Sequence, residues 1–99
     1  MIVTNRTVSI APGKNVAAIG FAKQIAAYIK ASTGTDVEVL TPIGGDPFRI
    51  TWMSHYPDLA EFEVRWAKVS TDQKYIQLVA SGLDNFVPGS IFDTIWRVI

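Results

Sequence analysis

The chain has 99 residues, of which 48% are hydrophobic and 18% charged, and its nine basic and nine acidic side chains give a formal net charge of zero. This length suits a single domain, residues 1–99, because half of it could not enclose an independent core. The charges are dispersed without a basic stripe, which argues against nucleic-acid binding, and the lack of cysteine excludes disulfides, thiolate metal sites and a cysteine nucleophile.

The beginning of the chain has no feature of a secretory signal. Residues 1–6 do not form a charged region followed by an apolar one, and no apolar run approaches the roughly 20 residues that cross a bilayer. Together with the absence of cysteine, this predicts a cytoplasmic protein with no membrane partner.

The first third of the chain predicts a strand and a helix. Residues 2–10 are rich in β-branched side chains and alternate loosely, which favours a strand. Residues 14–32 are rich in alanine, and apolar side chains such as Phe21 and Ile25 recur at the spacing of one helical face. Gly34 stands where a C-terminal helix cap is expected.

A hairpin follows. Residues 36–41 alternate with period two, and residues 48–55 form a second run of strand-forming side chains. The four residues 44–47, with the sequence Gly-Gly-Asp-Pro, are typical of a turn. We therefore expect two antiparallel strands.

The second helical region carries two start signals. Asp58 with Glu61 has the form of a capping box and is followed by an apolar helical stripe. Ser70 with Gln73 repeats the pattern, and helical spacing continues to Leu83. The region is thus predicted as two helices, or as one helix with a break near Ser70.

The last strand, residues 90–99, is apolar on both of its faces. Strand, helix, strand, strand, helix and strand is the order of an α+β ferredoxin-like βαββαβ fold, an antiparallel sheet with its helices on one face. An uncovered face should be polar at every second position, so we expect a second copy of the chain to cover it. The apolar side chains are Phe92, Trp96 and Val98 on one parity and Ile91, Ile95 and Ile99 on the other.

These features resemble the dimeric α+β barrel superfamily, which includes the antibiotic-biosynthesis monooxygenases, the NIPSNAP-like proteins and the stress-responsive dimeric barrels. The resemblance lies in the order of elements, the pair Asn5-Arg6, the Pro-Gly-Lys run at 12–14 and the helix start at 58–62. It implies a homodimer joined through its sheets and a ligand held between sheet and helices. For monooxygenase-like members it also implies chemistry that needs neither metal nor flavin.

The haem-degrading branch of that superfamily uses an asparagine on the first strand, a tryptophan in the second helical region and a histidine after it. Asn5 and Trp66 occupy comparable places here. The residues after Trp66 offer Tyr75 but no histidine, and the lone histidine, His55, precedes the helical region. This departure argues against haem degradation.

No motif for a cofactor or metal is present. One histidine without cysteine argues against a zinc site, and neither a nucleotide-binding glycine motif nor a serine-nucleophile elbow occurs. The sequence therefore predicts no cofactor and no metal.

The candidate catalytic residues are His55, because histidine exchanges protons near neutral pH, and Asn5, which could orient a substrate carbonyl. A capping or exposed role for His55, and a backbone-bonding role for Asn5, remain alternatives. The candidate ligand-binding residues each have a structural alternative as well, namely core packing for the aromatic side chains and an ion pair at a dimer seam for the arginine. They are Arg49, Trp52, Trp66 and Tyr75, with Trp96 as a further aromatic of the core or pocket.

The sequence leaves two functions open, and an RNA-binding sheet is set aside because its aromatic signature and basic charge are absent. The first is a homodimer that binds a hydrophobic small molecule between sheet and helices, with cofactor-free oxygenation, isomerisation or proton transfer. The second is a dimer that carries a ligand without turnover, or has a purely structural role. Whether the protein is an enzyme is not decided at this level.

Overall fold

Four strands and three helices follow one another in the predicted order. The computed structural model describes residues 1–99. The strands are β1 (Ile2–Ser9), β2 (Val37–Leu40), β3 (Arg49–Tyr56) and β4 (Phe92–Arg97), and the helices are α1 (Asn15–Thr33), α2 (Leu59–Ser70) and α3 (Gln73–Ser81), with a 3₁₀ turn at Leu83–Asn85. None of the helices combines the length and the apolar character needed to cross a bilayer.

The strands form one antiparallel sheet in the order β2-β3-β1-β4. β1 lies in the interior and pairs with β3 on one side and β4 on the other, while β2 and β3 form the predicted hairpin. This is the ferredoxin-like arrangement, so the predicted fold class is confirmed.

The helix ends follow local capping chemistry, with one correction. Gly34 ends α1 at φ 75°, as predicted, and the Asp58 side chain accepts a hydrogen bond from the Glu61 backbone N–H at the start of α2. The break after Ser70 is present, but the cap of α3 is Asp72, whose carboxylate accepts from the Lys74 N–H at 2.9 Å. Ser70 is still helical, and an N-cap residue must have left helical geometry.

The core lies on one face of the sheet, between the strands and α1. Ile50 of β3 and Ala18 and Ala22 of α1 are fully buried, and Val8 of β1 is almost so. Two alanines on one face of α1 bring its backbone close to the sheet, because they add little side-chain volume. The other helices pack beside α1 rather than across the whole sheet.

The opposite face of the sheet carries no helix, and we call it the open face. Phe92 and Trp96 of β4 point to it and are 66% and 58% exposed. Trp96 is therefore not a core residue of the subunit. Ile95, on the other parity, is also exposed, because β4 is an edge strand that packs mainly on β1. Both apolar faces predicted for the last strand are thus uncovered in a single chain.

Candidate ligand-binding site

A cavity of about 400 Å³ lies between the helix-covered face of the sheet and the three helices. Sixteen of its 24 lining residues are hydrophobic. Small-molecule sites commonly have about 300–1,000 Å³ and mostly apolar walls with a few polar groups. The space between sheet and helices that the resemblance implies is therefore present.

Aromatic rings form much of the cavity wall. Phe62 of α2 packs edge-on against Tyr56 of β3, with ring centroids 5.2 Å apart. Trp66, one helical turn further along α2, packs edge-on against Tyr75 of α3 at 6.5 Å. These contacts hold the rings in defined orientations, so the wall is built of fixed flat surfaces.

Trp52 of β3 belongs to this wall, and its indole N–H is already used. Nε1 donates to the backbone carbonyl of Ala22 in α1 at 3.1 Å, and the ring packs edge-on against Phe86 at 5.9 Å. Trp52 can therefore offer a ligand its ring surface, while its only polar atom ties the sheet to α1.

An ion pair forms the charged part of the site. Arg6 of β1 and Asp93 of β4 are direct partners in the strand register. The Arg6 Nε lies 2.8 Å from Oδ1 of Asp93, and Nη2 lies 2.8 Å from Oδ2. The same guanidinium lies 5.3 Å from the centroid of the Trp66 ring, which adds a cation–π contact.

The charge states of these groups follow from the pairing and from burial. The hydrogen bonds with Asp93 raise the pKa of Arg6 further, and those from Arg6 lower the pKa of Asp93. Burial raises the pKa of Tyr75. At neutral pH the site therefore holds a guanidinium, a carboxylate and a neutral phenol.

Several polar atoms in the cavity have no protein partner. Arg6 uses Nε and Nη2 for Asp93, which leaves Nη1 free, and the Tyr75 hydroxyl makes no hydrogen bond within the chain. Thr4 and Ser54, direct partners across β1 and β3, both line the cavity, and their hydroxyls are likewise unpaired. These atoms can bond to a ligand.

The side chains of the other predicted site residues belong to the row that faces the open side of the sheet, although Asn5 also contributes to the cavity lining. Asn5 and His55 alternate with the cavity-facing residues of their strands, and the Asn5 amide donates to Thr94 Oγ1 at 3.4 Å. Arg49 shares this face but lies at the far end of β3 from His55, six residues or roughly 20 Å away. No three histidine, aspartate or glutamate side chains gather closely enough to hold a metal ion.

Five of the six predicted residues therefore divide into two groups. Trp52, Trp66 and Tyr75 line the cavity together, whereas Arg49 and His55 lie on the other side of the sheet. Asn5 contributes to the surface on both sides. His55 does not share the cavity with Tyr75, because neighbouring residues of a strand point to opposite faces.

Arg6 and Asp93 are the residues that sequence reasoning did not select. One signal was available for Arg6: it shares its parity with Ile2, Val8 and Ile10, so a charge stands in the apolar row of β1. A charge in such a row usually has a partner. Because β1 alternates only loosely, the apolar row that contains Arg6 is not obvious from the sequence. No local sequence pattern indicates a role for Asp93.

Comparison with known proteins places the fold. No family profile matches the sequence, and no curated protein is significantly similar to it. Solved structures do match over nearly the whole chain. An uncharacterised NIPSNAP domain protein from Burkholderia xenovorans superposes with a TM-score of 0.83 at 13% identity, covering 100% of this chain and 95% of the other.

Two further structures agree with it. A NIPSNAP family protein from Agrobacterium tumefaciens gives a TM-score of 0.80 at 18% identity, covering 97% of this chain and 90% of the other. A protein from Nitrosomonas europaea, provisionally assigned as an antibiotic biosynthesis monooxygenase, gives 0.74 at 15% identity, covering 100% and 99%. The chain thus has the fold of the NIPSNAP and antibiotic-biosynthesis-monooxygenase structures, as the resemblance predicted.

Proposed function

We propose that the protein binds a hydrophobic small molecule, bearing one or two oxygen atoms, in the cavity between sheet and helices. The observation that carries the proposal is the cavity itself, about 400 Å³ in volume and walled mainly by apolar side chains. Among its polar groups, the atoms of Arg6, Tyr75, Thr4 and Ser54 that have no partner in the protein can form hydrogen bonds that orient a ligand.

Tryptophan fluorescence tests this proposal, because Trp66 lines the cavity while Trp96 lies on the open face. We would screen polycyclic phenols, quinones and fatty acids, confirming each hit by calorimetry. A cavity ligand changes the emission saturably. Trp66→Phe reduces that change, and the double variant Trp52→Phe/Trp66→Phe removes most of it, because both tryptophans line the cavity. Trp96→Phe is the matched control and leaves it intact. If no compound binds, or if the response follows Trp96 alone, the cavity is not the site.

We further propose that two copies of the chain associate through their open faces. Phe92 and Trp96 expose large apolar surface there, and a stable interface buries more than about 1,000 Å² in total. Light scattering at micromolar concentration should give the mass of a dimer. Phe92→Glu should give a monomer, whereas Val16→Glu, at an exposed apolar site on α1, should not. A monomeric wild type would refute the dimer.

A second candidate function is cofactor-free turnover of the bound ligand, such as oxygenation or isomerisation. Its support is the likeness in fold to structures assigned as monooxygenases. The titratable groups argue for binding alone: Arg6 and Tyr75 hold their protons, and the lowered pKa of Asp93 makes it a weak base. The absence of cysteine supports a cytoplasmic location for either function.

Oxygen uptake and product analysis separate these two candidates. Turnover requires oxygen consumption or an isomerised product with a ligand that the fluorescence screen has found. Binding without either supports the carrier. Asp93→Asn should abolish turnover that depends on a carboxylate base while retaining the fold, and a variant with full activity would exclude Asp93 from the chemistry.

A further inference from the structure

We infer that Asp93 makes the cavity selective for uncharged ligands with a hydrogen-bond-accepting oxygen, such as a ketone or an ester, over carboxylates of the same carbon skeleton. This inference rests on the proposed binding function and specifies the class of ligand. Its basis is the way in which the arginines of the cavity are already paired.

An arginine in a cavity would ordinarily select carboxylates, because its guanidinium can bind both oxygens at once. In this cavity, the guanidinium of Arg6 already makes this two-oxygen contact with the carboxylate of Asp93. Its Nε and Nη2 each lie 2.8 Å from one of the two carboxylate oxygens. Two N–H groups on Nη1 and one on Nη2 remain as donors to a ligand, but the positive charge of the guanidinium is already balanced by Asp93.

The second arginine of the cavity, Arg65, is also paired with a carboxylate, in its case by a single hydrogen bond. The Nε of Arg65 lies 2.7 Å from Oε1 of Glu61, and its Nη1 donates to Thr35 Oγ1 at 3.2 Å. Arg6, Arg65 and Asp93 are the only charged residues that line the cavity. A bound carboxylate would therefore lose water without finding a free positive charge, which is unfavourable.

A neutral oxygen meets no such penalty. Nη1 of Arg6 and the hydroxyl of Tyr75 are free donors, and the hydroxyls of Thr4 and Ser54 can donate or accept. All four residues line the same cavity as the aromatic walls. A flat apolar ligand can therefore lie against the rings while its carbonyl oxygen accepts from this set.

Two probes of equal shape test the selectivity: 2-naphthoate, and methyl 2-naphthyl ketone, in which a methyl group replaces one carboxylate oxygen. Calorimetry at neutral pH should show the wild type binding the ketone at least about tenfold more tightly than the carboxylate. In Asp93→Asn, which frees the charge of Arg6, the carboxylate should gain about tenfold or more while the ketone changes by less than about threefold.

Asp36→Asn is the matched control, because it removes a carboxylate that pairs with Lys30 at 2.7 Å on the surface, away from the cavity. It should leave both affinities unchanged. If Asp93→Asn does not fold, Asp93→Ser, which also removes the charge, takes its place. The comparison of ketone and carboxylate affinities in the wild type needs no variant.

The outcomes separate this inference from the proposed function. A wild type that binds the carboxylate as tightly as the ketone overturns the selectivity but leaves ligand binding intact. An unchanged ratio in Asp93→Asn overturns the role of Asp93. If neither probe binds although compounds from the fluorescence screen do bind, the inference is overturned. If no compound binds at all, the proposed function is overturned.

Discussion

The guanidinium of Arg6 lies 5.3 Å from the centroid of the Trp66 ring, and this contact connects the middle of β1 to α2 across the cavity. Arg6 is held in place by its two hydrogen bonds to Asp93. Trp66 is oriented by its edge-on contact with Tyr75. A cation–π contact of this kind contributes about 0.5–2 kcal/mol. It therefore stabilises the positions of both the Arg6 guanidinium and the Trp66 ring in the cavity wall.

Replacing Arg6 by glutamine should raise the pKa of Asp93 toward its ordinary value, because the hydrogen bonds from Arg6 are the main cause of its lowering. A lowered carboxyl pKa stabilises the fold above the unfolded-state value of about 3.9, and that contribution is lost as the pH falls through the folded pKa. The variant should therefore show a weaker dependence of stability on pH in this acid range. Carbon-detected NMR titration measures the Asp93 pKa. Lys30→Gln, which removes the surface partner of Asp36, should leave it unchanged.

Tyr28→Phe should raise the pKa of Asp72. The Tyr28 hydroxyl of α1 donates to this carboxylate at the junction of α2 and α3, and that bond is the largest cause of its lowered pKa. The ionised carboxylate stabilises the fold above the unfolded-state pKa, and this contribution is lost as the pH falls through the folded-state pKa. In the variant the contribution should be smaller, and its loss should be complete at a higher pH than in the wild type. NMR titration and acid unfolding measure both effects. Tyr75→Phe changes the neighbouring ring, 6.2 Å away, and should not move the Asp72 pKa.

Two glycine-to-alanine substitutions should change stability in opposite directions. A Cβ on Gly82, after α3, would overlap the ring of Phe21, so Gly82→Ala should destabilise the protein by about 1–3 kcal/mol. A Cβ on Gly20, within α1, would meet nothing within 4 Å, and Gly20→Ala should stabilise it by about 0.4–1 kcal/mol. Urea titration compares the two. A Gly82→Ala variant as stable as the wild type would show that the Phe21 ring moves aside freely.

Trp52→Ala and Trp96→Ala should differ in their dependence on protein concentration. Trp52 packs on the core and bonds to the Ala22 carbonyl, so its loss should cost about 3–5 kcal/mol at any concentration. Trp96 is 58% exposed in the subunit. Its removal should weaken dimer association and thus lower stability only where the wild type is dimeric. Denaturation at two concentrations a hundredfold apart tests this, and a concentration-independent loss for Trp96→Ala would contradict the proposed interface.

Short-range chemistry was enough to predict the order of the elements and most of their ends. Asp58 caps α2 and Gly34 ends α1 as expected, because a cap depends on residues within about one helical turn. The break between α2 and α3 was predicted as well, although its cap is Asp72 rather than Ser70. The apolar face predicted for the second helical region does face the sheet, and Trp66 and Tyr75 line the cavity there.

The composition of the site was decided only by the tertiary structure. Arg6 and Asp93 are 87 positions apart in sequence, and they meet because β1 and β4 pair in one particular register. A shift of one residue would turn every side chain of the strand to the other face. The loosely alternating sequence of β1 did not reveal which parity faces the helices, so Asn5 could not be assigned to the open face, nor Arg6 to the cavity, until the strands were placed side by side.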